Sequence, residues 1–277
     1  MSCSTASRAG IRTAESRLDA AIAQRGLARS RTHAAKLIAD GLVTVDGMPV
    51  VKASATVRES QLIEVAPTDH YVSRAAHKLV AALDGFGVDP AGRVAIDAGA
   101  STGGFTQVLL ERGASHVISI DVGHGQLVTE IQGNARVTSI EGFNIRDITR
   151  EFVEAQLRSP EFPRLVVADL SFISLRMILP PLVAAVGLEA DYVLLVKPQF
   201  EVGRTGIRED IVHNAGLRED AVNGVLWAAW DLGLPTAGVL PSPIAGNAGN
   251  REYLVWLSVG VGRNPTEWMQ VVSEATA

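Results

Sequence analysis

The sequence predicts an α/β chain in two parts: a small α+β module, then a Rossmann-like domain on a seven-stranded, mostly parallel sheet. Three observations predict it. From Tyr71 onward, apolar runs alternate with helical stretches. Several of these runs end on a charged residue, as strands do when their carboxyl ends line a cleft. Ahead of them, Ala66-Pro-Thr-Asp-His70 reads as a short linker that sets off residues 16–65, with residues 1–15 as an extension.

Composition narrows the class. A length of 277 residues suggests two domains, and 47% hydrophobic with 20% charged residues allows a proper core and excludes wholesale disorder. Cys3 is the only cysteine, so a disulfide framework and a thiolate metal site are both excluded. No His, Cys or carboxylate cluster has metal-ligand spacing, and no metal is expected. No apolar run approaches about 20 residues, so no membrane span is expected. The first ten residues lack the apolar segment of a secretory signal, and a cytoplasmic location is the expectation. Charge is uneven: residues 1–66 carry nine Lys and Arg against six acids, and the remainder sixteen against twenty-four. A basic front module would supply phosphate contacts for a domain that is not itself basic.

In the front module, Leu18, Ala21, Ile22 and Arg25 recur at helical spacing over Ser16–Gly26. A second helix follows with Ser30 as N-cap and Gly41 as its stop. Leu42–Val51 then reads as strand, Asp-Gly turn, strand. Arg25, Arg29, Arg31 and Lys36 lie on or just before the second helix, a pattern that ordinarily marks a solvated basic face. The order Arg-Leu-Asp, Gly-Leu-Ala-Arg-Ser-Arg, Gly-Leu-Val-Thr-Val-Asp-Gly resembles the RNA-binding domain first described in ribosomal small-subunit protein S-four, over about residues 16–65. That resemblance implies that Arg17, Arg25, Arg29, Arg31 and Lys52 present cations to RNA. The module has no Phe, Tyr or Trp, so it would read RNA shape and backbone rather than stack on bases.

In the second part, Val94-Ala-Ile-Asp97 is a β-branched run ending in an acid, followed by Ala-Gly-Ala-Ser-Thr-Gly-Gly. A helix is expected over residues 104–112, which puts the glycine-rich loop at a helix N-terminus. Gly99-x-x-x-Gly103 is neither a dinucleotide fingerprint nor a P-loop. A ligand with a zwitterionic head and a nucleoside fits better, and S-adenosylmethionine is such a ligand. Val117-Ile-Ser-Ile-Asp121 supplies a second acid at the usual place of a ribose-binding carboxylate. The cofactor-facing set is therefore Asp97, Gly99, Ala100, Ser101, Thr102, Gly103, Phe105 and Asp121, with Asp147 for the adenine amino group and Phe172 against cofactor or substrate. His213 reads as an exposed polar residue.

Strands are expected near 94–97, 117–121, 137–140, 165–169, 192–197, 236–240 and 252–259, the last two as an antiparallel hairpin. This is the pattern of class I S-adenosylmethionine-dependent methyltransferases. Asp97, Asp121, Asp169 and Lys197 would all sit at the carboxyl edge of the sheet.

The series Val72-Ser-Arg-Ala-Ala-His-Lys-Leu79, Asp97–Thr106, Ala168-Asp-Leu-Ser-Phe-Ile-Ser-Leu175, Leu195-Val-Lys-Pro-Gln-Phe-Glu-Val-Gly203 and Gly249-Asn-Arg-Glu-Tyr253 closely resembles the TlyA family over residues 16 to about 260. These are rRNA ribose 2′-O-methyltransferases with an FtsJ-like catalytic domain, here expected over residues 71–277. The resemblance implies a tetrad of Lys78, Asp169, Lys197 and Glu252, with Lys197 holding or accepting the hydroxyl proton. One departure is the segment Ser73-Arg-Ala-Ala-His-Lys78, where many relatives have glycine before the lysine. It further implies cytidines of small- or large-subunit rRNA as acceptors, ribosomal subunits as partners and a link to tuberactinomycin-type antibiotic sensitivity. The competing readings are a non-catalytic RNA-binding assembly factor and a haemolysin, a name also attached to the family.

Overall fold

In the computed structural model the described residues are 15–65, 70–158, 160–203, 211–246 and 249–277. Most of the expected N-terminal extension and linker therefore lies outside them. The chain divides into one unit ending at His70 and another beginning at Tyr71.

The first unit runs β1 (Glu15–Arg17), α1 (Leu18–Gln24), α2 (Arg31–Ala39), β2 (Val43–Val45), β3 (Met48–Pro49), β4 (Thr56–Arg58) and β5 (Ile63–Val65). Ser30 caps α2 by accepting the His33 N–H at 3.1 Å. Asp46 and Gly47 both have positive φ, the conformation a two-residue Asp-Gly hairpin needs to match strand twist. The expected first helix is corrected at its start. Ser16 and Arg17 belong to β1, which pairs antiparallel with β4, so the chain turns helical only at Leu18. β5 joins the hairpin by pairing with β2. Leu18, Ile22, Ala34, Ile38 and Val43 are fully buried beneath the two helices.

The second unit contains α3 (Ala75–Phe86), β6 (Val94–Ala98), α4 (Gly104–Glu111), β7 (His116–Ile120), α5 (Thr129–Gln132), β8 (Val137–Ile140), α6 (Arg150–Gln156), β9 (Leu165–Ala168), α7 (Leu175–Val186), β10 (Asp191–Val196), α8 (Pro198–Glu201), α9 (Ala215–Asp231), β11 (Thr236–Pro241), β12 (Tyr253–Leu257) and α10 (Met269–Thr276). The sheet order is β11-β12-β10-β9-β6-β7-β8. β12 alone runs antiparallel, pairing with β10 on one side and β11 on the other. The last two strands pair antiparallel as expected, with β12 beside β10 and β11 at the edge. The central strands are buried throughout, as parallel strands covered on both faces require. One face packs Ile96, Ile118, Val166 and Leu194 under α7 and α9, and the other packs Val117, Val167 and Val193 under α3 and α4.

Candidate active site

Register explains how distant charges reach one edge. Ala168 at the end of β9 pairs with Ala98 of β6 and Leu194 of β10, so Asp169 emerges beside the glycine-rich loop. Val196 pairs with Tyr253, and because β12 is antiparallel its first residue sits level with the last residue of β10. Glu252, just before a strand, therefore comes level with Lys197, just after one. Lys78 comes from α3, whose entry docks on α4: the Val72 N–H donates to Gln107 Oε1 at 2.9 Å.

These four side chains form an alternating chain of charge. Lys197 Nζ lies 2.6 Å from Asp169 Oδ1, a close ion pair not aligned as a hydrogen bond. Asp169 Oδ2 lies 3.8 Å from Lys78 Nζ, and Lys78 Nζ donates to Glu252 Oε2 at 2.6 Å. None of the four side chains is more than 13% exposed. Two cations and two anions are thus largely removed from water, an arrangement tolerable only because each charge has an opposite neighbour. Lys197 Nζ also donates to Ser171 Oγ at 2.9 Å. An ammonium has three N–H bonds. With one on Ser171, the ammonium can still present an N–H to a ligand oxygen.

The glycine-rich loop lies against this network. Gly99 has φ +86°, and a Cβ there would meet the Asp169 carbonyl oxygen at 2.8 Å. At Gly103, φ is +99° and a Cβ would press on Leu127 and Ile131 side chains. Ser101 is also left-handed, at φ 47°, a strained state held by its N–H donating to Asp121 Oδ2 at 2.8 Å. Asp121 Oδ1 accepts the Gly123 N–H at 2.7 Å, and its remaining lone pairs can accept ligand hydroxyls.

Two expected cofactor-facing residues are deeply buried. Asp97 has no exposed surface; Oδ2 accepts the Thr106 hydroxyl at 2.6 Å, while Oδ1 has no hydrogen-bond partner among the described residues. Burial pushes its carboxyl up to about 7, with the Asp169 and Asp121 charges adding to the shift. Asp97 therefore ties the end of β6 to α4 through Thr106. Phe105 is 4% exposed and packs in the core as part of α4, because the helix turns it inward from the loop. Ala100 is also buried, Ser101 is exposed and Thr102 is partly exposed. Asp147 ends a 3₁₀ turn over Ile145–Asp147 and is exposed. Phe172 is 92% exposed with φ 65°, its ring 5.3 Å from that of Phe200. His213 is exposed, and its carbonyl accepts from Arg218.

Sequence reasoning missed Ser171, the Thr106–Ser119 pair behind Asp97, and Glu201. Val122, immediately after Asp121, is 69% exposed.

In the first unit the expected RNA-facing cations divide. Arg17 and Arg31 both bind Asp19, at 3.1 and 3.0 Å, yet stay 54% and 60% exposed. Arg17 first, then Arg31, hold the Asp19 carboxyl down to about 2. Arg25 donates to the carbonyl oxygens of Arg58, Glu59 and Gln61, which ties α1 to the β4–β5 turn. Arg29, Lys36 and Lys52 are exposed. Among the described residues, no group of three or more His, Cys, Asp or Glu could hold a metal ion, and no helix is long and apolar enough to cross a membrane.

A seven-stranded sheet with one antiparallel strand, and a glycine-rich loop after its first strand, defines a domain of the methyltransferase type. Residues 71–259 match the family model for FtsJ-like methyltransferase, and residues 16–63 match the S4 domain. The chain belongs to the FtsJ-like methyltransferase family and carries an S4 domain ahead of that fold. It is 46% identical to the 16S/23S rRNA (cytidine-2′-O)-methyltransferase TlyA of Mycobacterium tuberculosis, covering 89% of this chain and 91% of that one. It is 38% identical to Hemolysin A of Brachyspira hyodysenteriae, covering 86% and 98%. A solved structure of a hemolysin-named protein from Streptococcus thermophilus aligns with TM-score 0.72 at 35% identity, covering 94% of this chain and 95% of that one.

Proposed function

We propose that this protein transfers a methyl group from S-adenosylmethionine to the ribose 2′-oxygen of cytidine in ribosomal RNA, with Lys78, Asp169, Lys197 and Glu252 as the catalytic set. The observation that carries this reading is the Lys197 ammonium, fixed between Asp169 and Ser171 at the cleft edge with an N–H left for an acceptor oxygen. The relationship to TlyA supports the choice of acceptor. The cytoplasm, where ribosomes are assembled, is the expected place of work.

The residues present suit the cofactor. The Gly99–Gly103 loop, bare of side chains where backbone approaches, would receive the methionine end, with Ser101 and Thr102 at its surface. Asp121 would take the ribose hydroxyls, exposed Val122 would cover one face of the adenine, and Asp147 would take its amino group. When bound, the cofactor supplies an electrophilic methyl on a cationic sulfur.

The chain's own part is positioning and charge control. Lys197 would orient the 2′-hydroxyl by donating to its oxygen, so that a lone pair of that oxygen faces the methyl group the cofactor supplies. Asp169 holds Lys197 from one side and Lys78 from the other, and Glu252 holds Lys78, so Lys197 cannot swing out of line. The hydroxyl proton would pass to water once the oxygen has been methylated, since Lys197 is already an ammonium and takes no further proton. Phe172, an exposed ring beside Ser171, offers a face for the acceptor base. The front unit would bind structured rRNA through Arg29, Lys36 and Lys52, with Arg17 and Arg31 presented from Asp19. The test is transfer of labelled methyl to rRNA by the purified protein, with modified riboses mapped at nucleotide resolution. Label on bases rather than 2′-oxygens would reject the reading.

A further inference from the structure

The loop that follows Asp169 and the segment that follows Lys197 are joined at three points. Lys197 Nζ reaches Ser171 Oγ, and the Phe172 and Phe200 rings meet at 5.3 Å. The third joint is Glu201, at the end of α8. Its Oε2 accepts the Ser174 hydroxyl at 2.5 Å, and its Oε1 accepts the Leu175 N–H at 2.7 Å. Arg176 Nε lies 3.5 Å from Oε2, and another Arg176 nitrogen donates to the Glu201 carbonyl at 3.0 Å. One carboxylate thus engages three consecutive residues at the start of α7.

We propose that Glu201 is a positioning residue for the RNA acceptor, locking the Asp169–Ser174 loop to the strand end that carries Lys197. It rests on the reading of Lys197 as the group that faces the ribose oxygen. Ser174 alone caps α7, since its Oγ accepts the Arg176 N–H. An ordinary surface cap needs nothing more. Here a carboxylate 7% exposed is added, and burial raises its pKa. Burying such a group is costly unless it is fully bonded, so its use at this point calls for a function beyond capping.

That function lies two residues upstream of Ser174. Phe172 sits in left-handed backbone while its ring stands 92% exposed. A non-glycine residue pays strain for that conformation and gains no core packing from it, so the surrounding structure must hold it. Lys197–Ser171 holds the loop before Phe172, and Glu201–Ser174 holds it after. Glu201 fixes the far anchor, and with it the angle at which Phe172 and Ser171 meet the incoming nucleotide.

The experiment uses the full chain with Glu201→Ala, Glu201→Gln and Ser174→Ala. It measures kcat and KM for rRNA, S-adenosylmethionine affinity by calorimetry, and thermal stability. Glu201→Ala is expected to lower kcat/KM for RNA by roughly tenfold to a hundredfold, as a misplaced acceptor does, with cofactor affinity within about twofold of wild type. Glu201→Gln should restore most of the loss, because its amide oxygen can still accept the Leu175 N–H. If Glu201→Ala does not fold, Ser174→Ala must show a smaller loss in the same parameter with cofactor affinity kept. Wild-type kcat/KM in Glu201→Ala and Ser174→Ala, or cofactor affinity falling in step with methyl transfer, would overturn the proposal. A wild-type protein that transfers no methyl overturns the functional reading and this inference together. An active wild type with indifferent variants overturns the inference alone.

Discussion

Lys78 Nζ donates to Glu252 Oε2 at 2.6 Å across 174 positions of sequence, joining a helix at the start of the domain to the head of its antiparallel strand. The Glu252 side chain is 2% exposed and that of Lys78 10%. Their pairing lets the Lys197–Asp169 pair sit at the cleft without leaving a bare charge behind it.

Removing one partner should therefore destabilise the domain more than removing both. Lys78→Met is expected to cost about 3–5 kcal/mol by leaving Glu252 buried and uncompensated. Adding Glu252→Gln should recover part of this. Urea unfolding of the single and double variants checks the coupling, and strictly additive costs would contradict it.

Gly99→Ala should fold poorly or lose cofactor affinity. Its φ of +86° disfavours any side chain, and the new Cβ would sit 2.8 Å from the Asp169 carbonyl oxygen. Calorimetry with S-adenosylmethionine is the check. Wild-type affinity at wild-type stability would show that the loop has more room than its geometry indicates.

Asp97 makes stability depend on pH. Its carboxyl stands near 7 in the folded chain against an ordinary 3.8, so between these values the native state holds a proton that the unfolded state has released. Stability should consequently fall as pH rises from about 4 to 7 and level off above that, by up to about 4 kcal/mol from this group. Asp97→Asn should flatten that slope while keeping the shape of the site. Parallel pH profiles for the two proteins, measured by chemical denaturation, would contradict the assignment.

The cations of the front unit should separate by assay. Arg25→Ala should lower stability, because three backbone carbonyls lose their donor. Arg29→Ala and Lys36→Ala should leave stability nearly unchanged and each reduce the salt slope of RNA binding by about one. RNA titrations over a range of salt, beside thermal melts, distinguish the two behaviours.

The parts legible in the sequence were those written locally. β-branched runs ending on Asp97, Asp121, Asp169 and Lys197 marked strand ends, and Gly99 and Gly103 marked a turn that needs positive φ. What stayed hidden depends on long-range pairing. Nothing near Ser16 indicates that β1 seeks β4, and nothing near Tyr253 indicates that β12 enters between β10 and β11. Asp97 looked like a ligand contact because it follows an apolar run; its burial follows from Thr106 and Ser119, nine residues away and on a neighbouring strand. Glu201 stands inside the Leu195–Gly203 segment, but nothing there points to its partners at 174–176. Asp19 was hidden similarly, being one acid among basic residues until Arg31 folds back onto it.

The central claim is that Lys197 acts on the ribose oxygen rather than on the cofactor. The most direct measurement compares wild type with Lys197→Ala for methyl transfer to rRNA cytidine 2′-oxygens and for S-adenosylmethionine affinity. We expect transfer to fall by at least about a hundredfold, as when a group that positions the reacting oxygen is lost, while affinity changes little. Full transfer in Lys197→Ala would contradict the account.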